Sequence, residues 1–116
     1  MGDMRTRETR EKYLAFIAKG GNSNGCNLCS APSLKEFEHW RIVDNDFPYD
    51  LVAQTTHMIV PKRHVDENGL TNEEIEEYKT IKKTYLVDYY NCIYETVPRR
   101  QSIRGHYHLI LMVFYE

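Results

Sequence analysis

His106-Tyr107-His108-Leu109-Ile110-Leu111-Met112-Val113-Phe114 joins two imidazoles to an apolar run that predicts a strand over His106 to Phe114. Residues two apart on a strand leave the same face, so His106 and His108 share one surface. Imidazole works at neutral pH as nucleophile, proton carrier or metal ligand. A lone H-x-H is also common as a solvated edge pair, and its meaning depends on what the rest of the chain brings to that face.

Upstream, Val97 to Gly105 is a polar, basic loop and Asn91 to Thr96 reads as a strand. Arg99, Arg100 and Arg104 suit either a polyphosphate or RNA end or a solvated turn, and the solvated turn is the favoured expectation. Thr71-Asn72-Glu73-Glu74 has the capping-box pattern, a hydroxyl followed three residues later by Glu. With Ile75, Tyr78, Ile81, Tyr85 and Leu86 it predicts a long helix to about Asp88. Gln54 to Val60 is β-branched and apolar and is closed by Pro61, which lacks a ladder donor. Glu38 to Val43 predicts a strand ending in the turn formers Asp44-Asn45-Asp46. Arg5 to Lys19 predicts an amphipathic helix stopped by Gly20-Gly21, and Gly20 to Asn27 a loop. The order α-β-β-α-β-β implies an α+β domain, helices packed on one antiparallel sheet.

A length of 116 residues suits one domain, with residues 1–25 as leading helix and loop and residues 26–116 as the core. Hydrophobic residues at 41% and charged residues at 28% fit a soluble globular chain. The longest apolar run is far short of the roughly 20 residues of a membrane helix, and Met1 to Arg7 has no signal-peptide pattern. A cytoplasmic location and no membrane partner are expected. Net charge −2 without a basic block disfavours duplex nucleic acid.

Of three cysteines, Cys26 and Cys29 have the C-x-x-C spacing that lets one tight turn offer two thiolates to a tetrahedral zinc. Two further ligands must come from elsewhere: His64, after the strand that ends at Pro61, and His106 are the best placed, with His39 and His57 as substitutes. A thioredoxin-like role would want a strand before the motif and a helix opening at it; the Gly/Asn-rich loop before Cys26 favours zinc. Cys92 reads as a buried apolar thiol.

Three separated signals then look like one family: Cys26-x-x-Cys29; His57-Met58-Ile59-Val60-Pro61-Lys62-Arg63-His64; and Ser102-Ile103-Arg104-Gly105-His106-Tyr107-His108-Leu109. In order and spacing they resemble the histidine triad (HIT) superfamily over roughly residues 26 to 113. The resemblance implies a HIT-like α+β fold, usually homodimeric, and a small nucleotide as substrate or ligand. It implies hydrolysis or transfer at the α-phosphate, with His108 as the nucleophile that forms a nucleotidyl-histidine. In zinc-bearing branches the metal set maps onto Cys26, Cys29, His64 and His106, a closed structural site. Asn45 and Asp46 map near the ribose, Gln101 and Ser102 near phosphate.

The sequence departs from the family pattern at three points. Ile110 stands where the third histidine, or Gln in transferase branches, would be. Ser102 lies four residues before His106 rather than three, so Gly105 marks a candidate bulge, and a shifted register would make His106 the nucleophile. His57 lies one residue closer to His64 than in common members and receives no catalytic role. An impaired HIT-fold binding protein or a zinc-stabilised interaction module is the alternative expectation.

Overall fold

The computed structural model describes residues 4–21, 25–97 and 105–116. Helix α1 spans Arg7–Ala18 and a single turn α2 spans Asn27–Ser30. Strands β1 (Ser33–Glu36), β2 (Trp40–Asp44) and β3 (Ala53–Pro61) follow. Helix α3 (Asn72–Ile81) runs through a π-helical segment, Lys82–Leu86, into the short α4 (Val87–Tyr89). Strands β4 (Cys92–Tyr94) and β5 (Leu109–Phe114) complete a fully antiparallel sheet of order β1-β2-β3-β5-β4. The α+β architecture expected from the sequence is present, with one strand more than the six-element order.

Both faces of the central strands are covered, which explains the near-continuous apolar run of β5. On one face Ile59, Leu109 and Leu111 pack with Ile81 and Leu86 of the helical layer around Trp40, which has no exposed surface. The buried indole N–H donates to the Glu74 carbonyl at 2.8 Å, so its burial leaves no polar atom unmatched. On the other face Val43, Met58, Val60, Ile110 and Met112 pack with Leu28 of α2.

Thr71 caps α3 as its spacing predicts: its hydroxyl accepts from Glu74 N at 3.1 Å, and Glu74 Oε1 accepts from Thr71 N at 2.8 Å. Glu74 is buried and also receives two bonds from Arg63, 2.8 and 3.0 Å, so one carboxylate joins the helix start to the chain leaving β3.

The last strand is shorter than expected. It begins at Leu109, because the Tyr107 N–H turns away from the ladder to the Val65 carbonyl at 2.7 Å. His106 and His108 therefore lie on the segment entering β5. Gly105, at φ 82°, makes the turn into it, a conformation that favours glycine.

Candidate functional site

The end of β3, the α2 turn and the approach to β5 converge on four side chains. Cys26, Cys29, His64 and His106 each point one ligand atom inward, and these atoms all lie within 4.8 Å of one another. His106 Nδ1 is 3.4 Å from the sulfurs of both Cys26 and Cys29, and His64 Nδ1 is 3.3 Å from Cys29 Sγ. A tetrahedral ion with metal–sulfur bonds near 2.3 Å and metal–nitrogen bonds near 2.0 Å sets neighbouring ligands roughly 3.3–3.8 Å apart. These three separations fit that geometry.

The tautomer fits as well. His106 is fully buried and its Nε2 lies 2.9 Å from the Pro61 carbonyl oxygen. A carbonyl only accepts, so the ring proton sits on Nε2 and leaves the Nδ1 lone pair aimed at the sulfurs, the usual outer-shell arrangement of a metal-bound histidine. Burial holds His106 below the usual imidazole range, with Pro61 opposing, and burial pushes the Cys29 thiol up, aided by Cys26. These four residues can hold a metal ion. Of the substitutes, His57 lies on the opposite face with Nδ1 2.7 Å from Tyr90 Oη, whose phenol burial raises to about 12. His39 stands beside Glu38, at 3.8 Å.

The α2 turn has a support that the motif reading missed. Arg41, buried in β2, donates to the carbonyls of Leu28 and Ala31 and to Ser33 Oγ at 3.2 Å. An arginine in the middle of an apolar strand was the available signal, since a guanidinium is buried only with partners. A helical turn does open at the C-x-x-C, but it lasts four residues, and among the described residues no strand leads into it.

His108 lies beyond the metal group, buried beside a cavity of about 100 Å³. Its Nδ1 is 3.0 Å from the His106 carbonyl oxygen, which places the proton on Nδ1 and leaves Nε2 with the lone pair. Burial depresses its basicity; the His106 carbonyl and the more distant Glu95 oppose that. Ile110 and Met58 of the sheet line the same cavity, as do Asp44, Asn45 and Asp46 after β2. Asn45 Oδ1 accepts from Phe47 N at 3.0 Å, an Asx turn that shapes this rim. Its far end is aromatic, built by Tyr13 and Phe16 of α1 with Phe47 and Tyr49. That aromatic end carried no sequence motif, because its rings come from two separate segments. The positions expected near phosphate, Gln101 and Ser102, lie outside the described residues.

No protein-family profile matches the sequence, and no curated protein matches it. Among solved structures the chain is similar to the crystal structure of a protein named HTC1. The TM-score is 0.55 at 13% identity, covering 97% of this chain and 76% of that one. The likeness supports the α+β fold. Among the described residues no helix is long and apolar enough to cross a membrane.

Proposed function

We propose that this chain is a HIT-like nucleotide-binding protein that acts at the α-phosphate of a nucleotide conjugate through His108. The observation that carries the reading is the position of His108: buried at the cavity, with Nδ1–H fixed on the His106 carbonyl and Nε2 free of that bond. In the reaction, Nε2 attacks the α-phosphorus, the bond to the leaving group breaks, and the leaving group departs with its electron pair. Water or a second acceptor then attacks phosphorus and gives up its proton to solvent, the P–N bond breaks, and the pair returns to Nε2. Splitting one displacement into two lowers each barrier.

Zinc is the metal we assign to Cys26, Cys29, His64 and His106, since two thiolates and two imidazoles suit it and leave no open coordination position. Its chemistry is structural: it fixes the His106 backbone, and the His106 carbonyl in turn orients the ring of His108. Asn45 and Asp46 are assigned to the nucleoside side of the cavity. A homodimer of the 13.8 kDa chain accompanies the reading and is checked by sedimentation.

A second reading is favoured by Ile110, which is buried and lines the cavity beside His108. Ile offers no donor to a phosphoryl oxygen or a leaving group, which suits a protein that holds a nucleotide without efficient turnover. Incubation with a nucleoside phosphoramidate, a dinucleoside polyphosphate and a nucleotide sugar separates the two. Turnover of one of them that falls about a thousandfold or more in His108→Ala supports the enzyme, that being a usual scale for losing a covalent nucleophile. Nucleotide binding with no turnover above the variant on any of the three supports the second reading.

A further inference from the structure

The cavity is too small to enclose the ligand proposed for it. Its volume of about 100 Å³ falls well below the roughly 300–1,000 Å³ of small-molecule sites, so a nucleotide is enclosed there only if a wall moves. The sheet wall is fixed, since Met58, His108 and Ile110 are buried and Met58 and Ile110 are paired across β3 and β5. The α2 wall is fixed too, pinned by Arg41 and by Leu28, which is 2% exposed.

Helix α1 differs. None of its twelve residues is buried, and Leu14 is 56% exposed. Its hold on the body is mainly polar and gathered at its N-terminal end. The Asp50 carboxylate accepts from Thr6 N at 2.8 Å, Thr6 Oγ1 at 3.1 Å and Thr9 Oγ1 at 2.5 Å. Arg5 Nε donates to the Phe47 carbonyl at 2.8 Å, and its guanidinium lies over the Tyr13 and Tyr49 rings at 4.3 and 4.6 Å. Ring contacts add to this, Tyr13 and Phe16 against Phe47 with centroids 5.4 and 5.0 Å apart. Just past the helix Asn27 of α2 donates from Nδ2 to the Gly21 carbonyl at 2.9 Å, a single bond that opening must break. Segments held by few buried apolar contacts open at low free energy.

The helix end would travel with those rings. Gly20 N donates to the Ile17 carbonyl and Gly21 N to the Phe16 carbonyl, with Gly20 at φ 78°, a Schellman close. A Cβ on Gly21 would come within 2.3 Å of the Phe16 ring, so ring and helix end form one unit.

We infer that α1 is the moving wall of the ligand site, closing Tyr13 and Phe16 over the aromatic part of a bound nucleotide while Asp50 latches the helix through Thr6 and Thr9. This rests on the nucleotide reading above. Amide hydrogen exchange on the full chain tests it, with AMP and UMP as probes. In the absence of nucleotide, Asp50→Ala raises exchange across residues 7–18 about tenfold, and Thr9→Val, which removes one latch bond, raises it less; β3 and β5 keep their protection in both. Saturating AMP or UMP slows exchange in 7–18 of the wild type, and Asp50→Ala releases the nucleotide faster.

Unchanged exchange in 7–18 of both variants, or a loss of protection shared equally by the sheet, overturns the latch. A nucleotide that protects residues 44–47 and leaves 7–18 unaltered overturns the role of α1 and leaves the nucleotide reading standing. Failure of both nucleotides to bind overturns the two together.

Discussion

Ile110 stands, in the function proposed above, at a point where phosphoryl chemistry would use a polar group. Its side chain lines the cavity next to His108, so a longer polar side chain there can reach a ligand without crossing the core. Ile110→Gln is expected to raise turnover of the best nucleotide conjugate by about tenfold, a modest share of what one well-placed donor contributes to phosphoryl and acyl transfer. Steady-state kinetics measure it, and unchanged or lower kcat with intact folding counts against the role given to this position. The four residues that can hold a metal were legible in the sequence, since C-x-x-C spacing, a histidine after the strand that ends at Pro61 and a histidine opening the last strand signal narrow the choices. Arg41 and the ring cluster of Tyr13, Phe16, Phe47 and Tyr49 were not legible, because their partners are set by tertiary placement rather than spacing.

Helix α3 shows how an element start can be read from four residues. Thr71 and Glu74 sit in the reciprocal cap expected of T-x-x-E, and Thr71→Ala should cost about 1 kcal/mol in chemical denaturation. Glu74 also predicts a pH response. The Arg63 hydrogen bonds first, opposed by burial and aided by the Thr71 bonds and the Arg63 charge, lower its carboxyl to about 2. A depressed pKa contributes stability above the unfolded value near 4.5 and loses it as pH falls toward about 2. Denaturation midpoints of the wild type should therefore fall across pH 4.5 to 2 more steeply than those of Glu74→Gln; parallel profiles would contradict the pairing. Strand β1 escaped the sequence reading because Ser33–Glu36 is a four-residue edge strand exposed throughout, with no buried face to impose alternation. The final strand was placed three residues too early at its start, because the Tyr107 N–H bond to Val65 is a tertiary choice that apolar patterning does not encode.

For the molecule as a whole, stability tests two features: the Trp40 core and the Cys26, Cys29, His64 and His106 group that can hold a metal. Trp40→Ala removes a fully buried indole and should cost about 3–5 kcal/mol. Domains hold only about 5–15 kcal/mol in total, so much of the variant should be unfolded at physiological temperature, as circular dichroism would show. The structural zinc proposed above would bind the folded state and little of the unfolded one, so its removal would destabilise the whole domain. Protein purified without added metal should carry close to one zinc per chain. Cys29→Ser should carry far less, and a strong chelator should lower the wild-type Tm by about 10 °C or more. A stoichiometry near zero would remove the metal from the reading.

The proposed function depends on which atom would meet the phosphorus. The most direct measurement is to react the protein with a nucleotide conjugate labelled at the α-phosphate, quench, and map the label by peptide mass spectrometry. A nucleotidyl group on His108, stable to alkali, labile to acid and absent from His108→Ala, is the predicted result. No covalent label under turnover, or a label on His106, would contradict it.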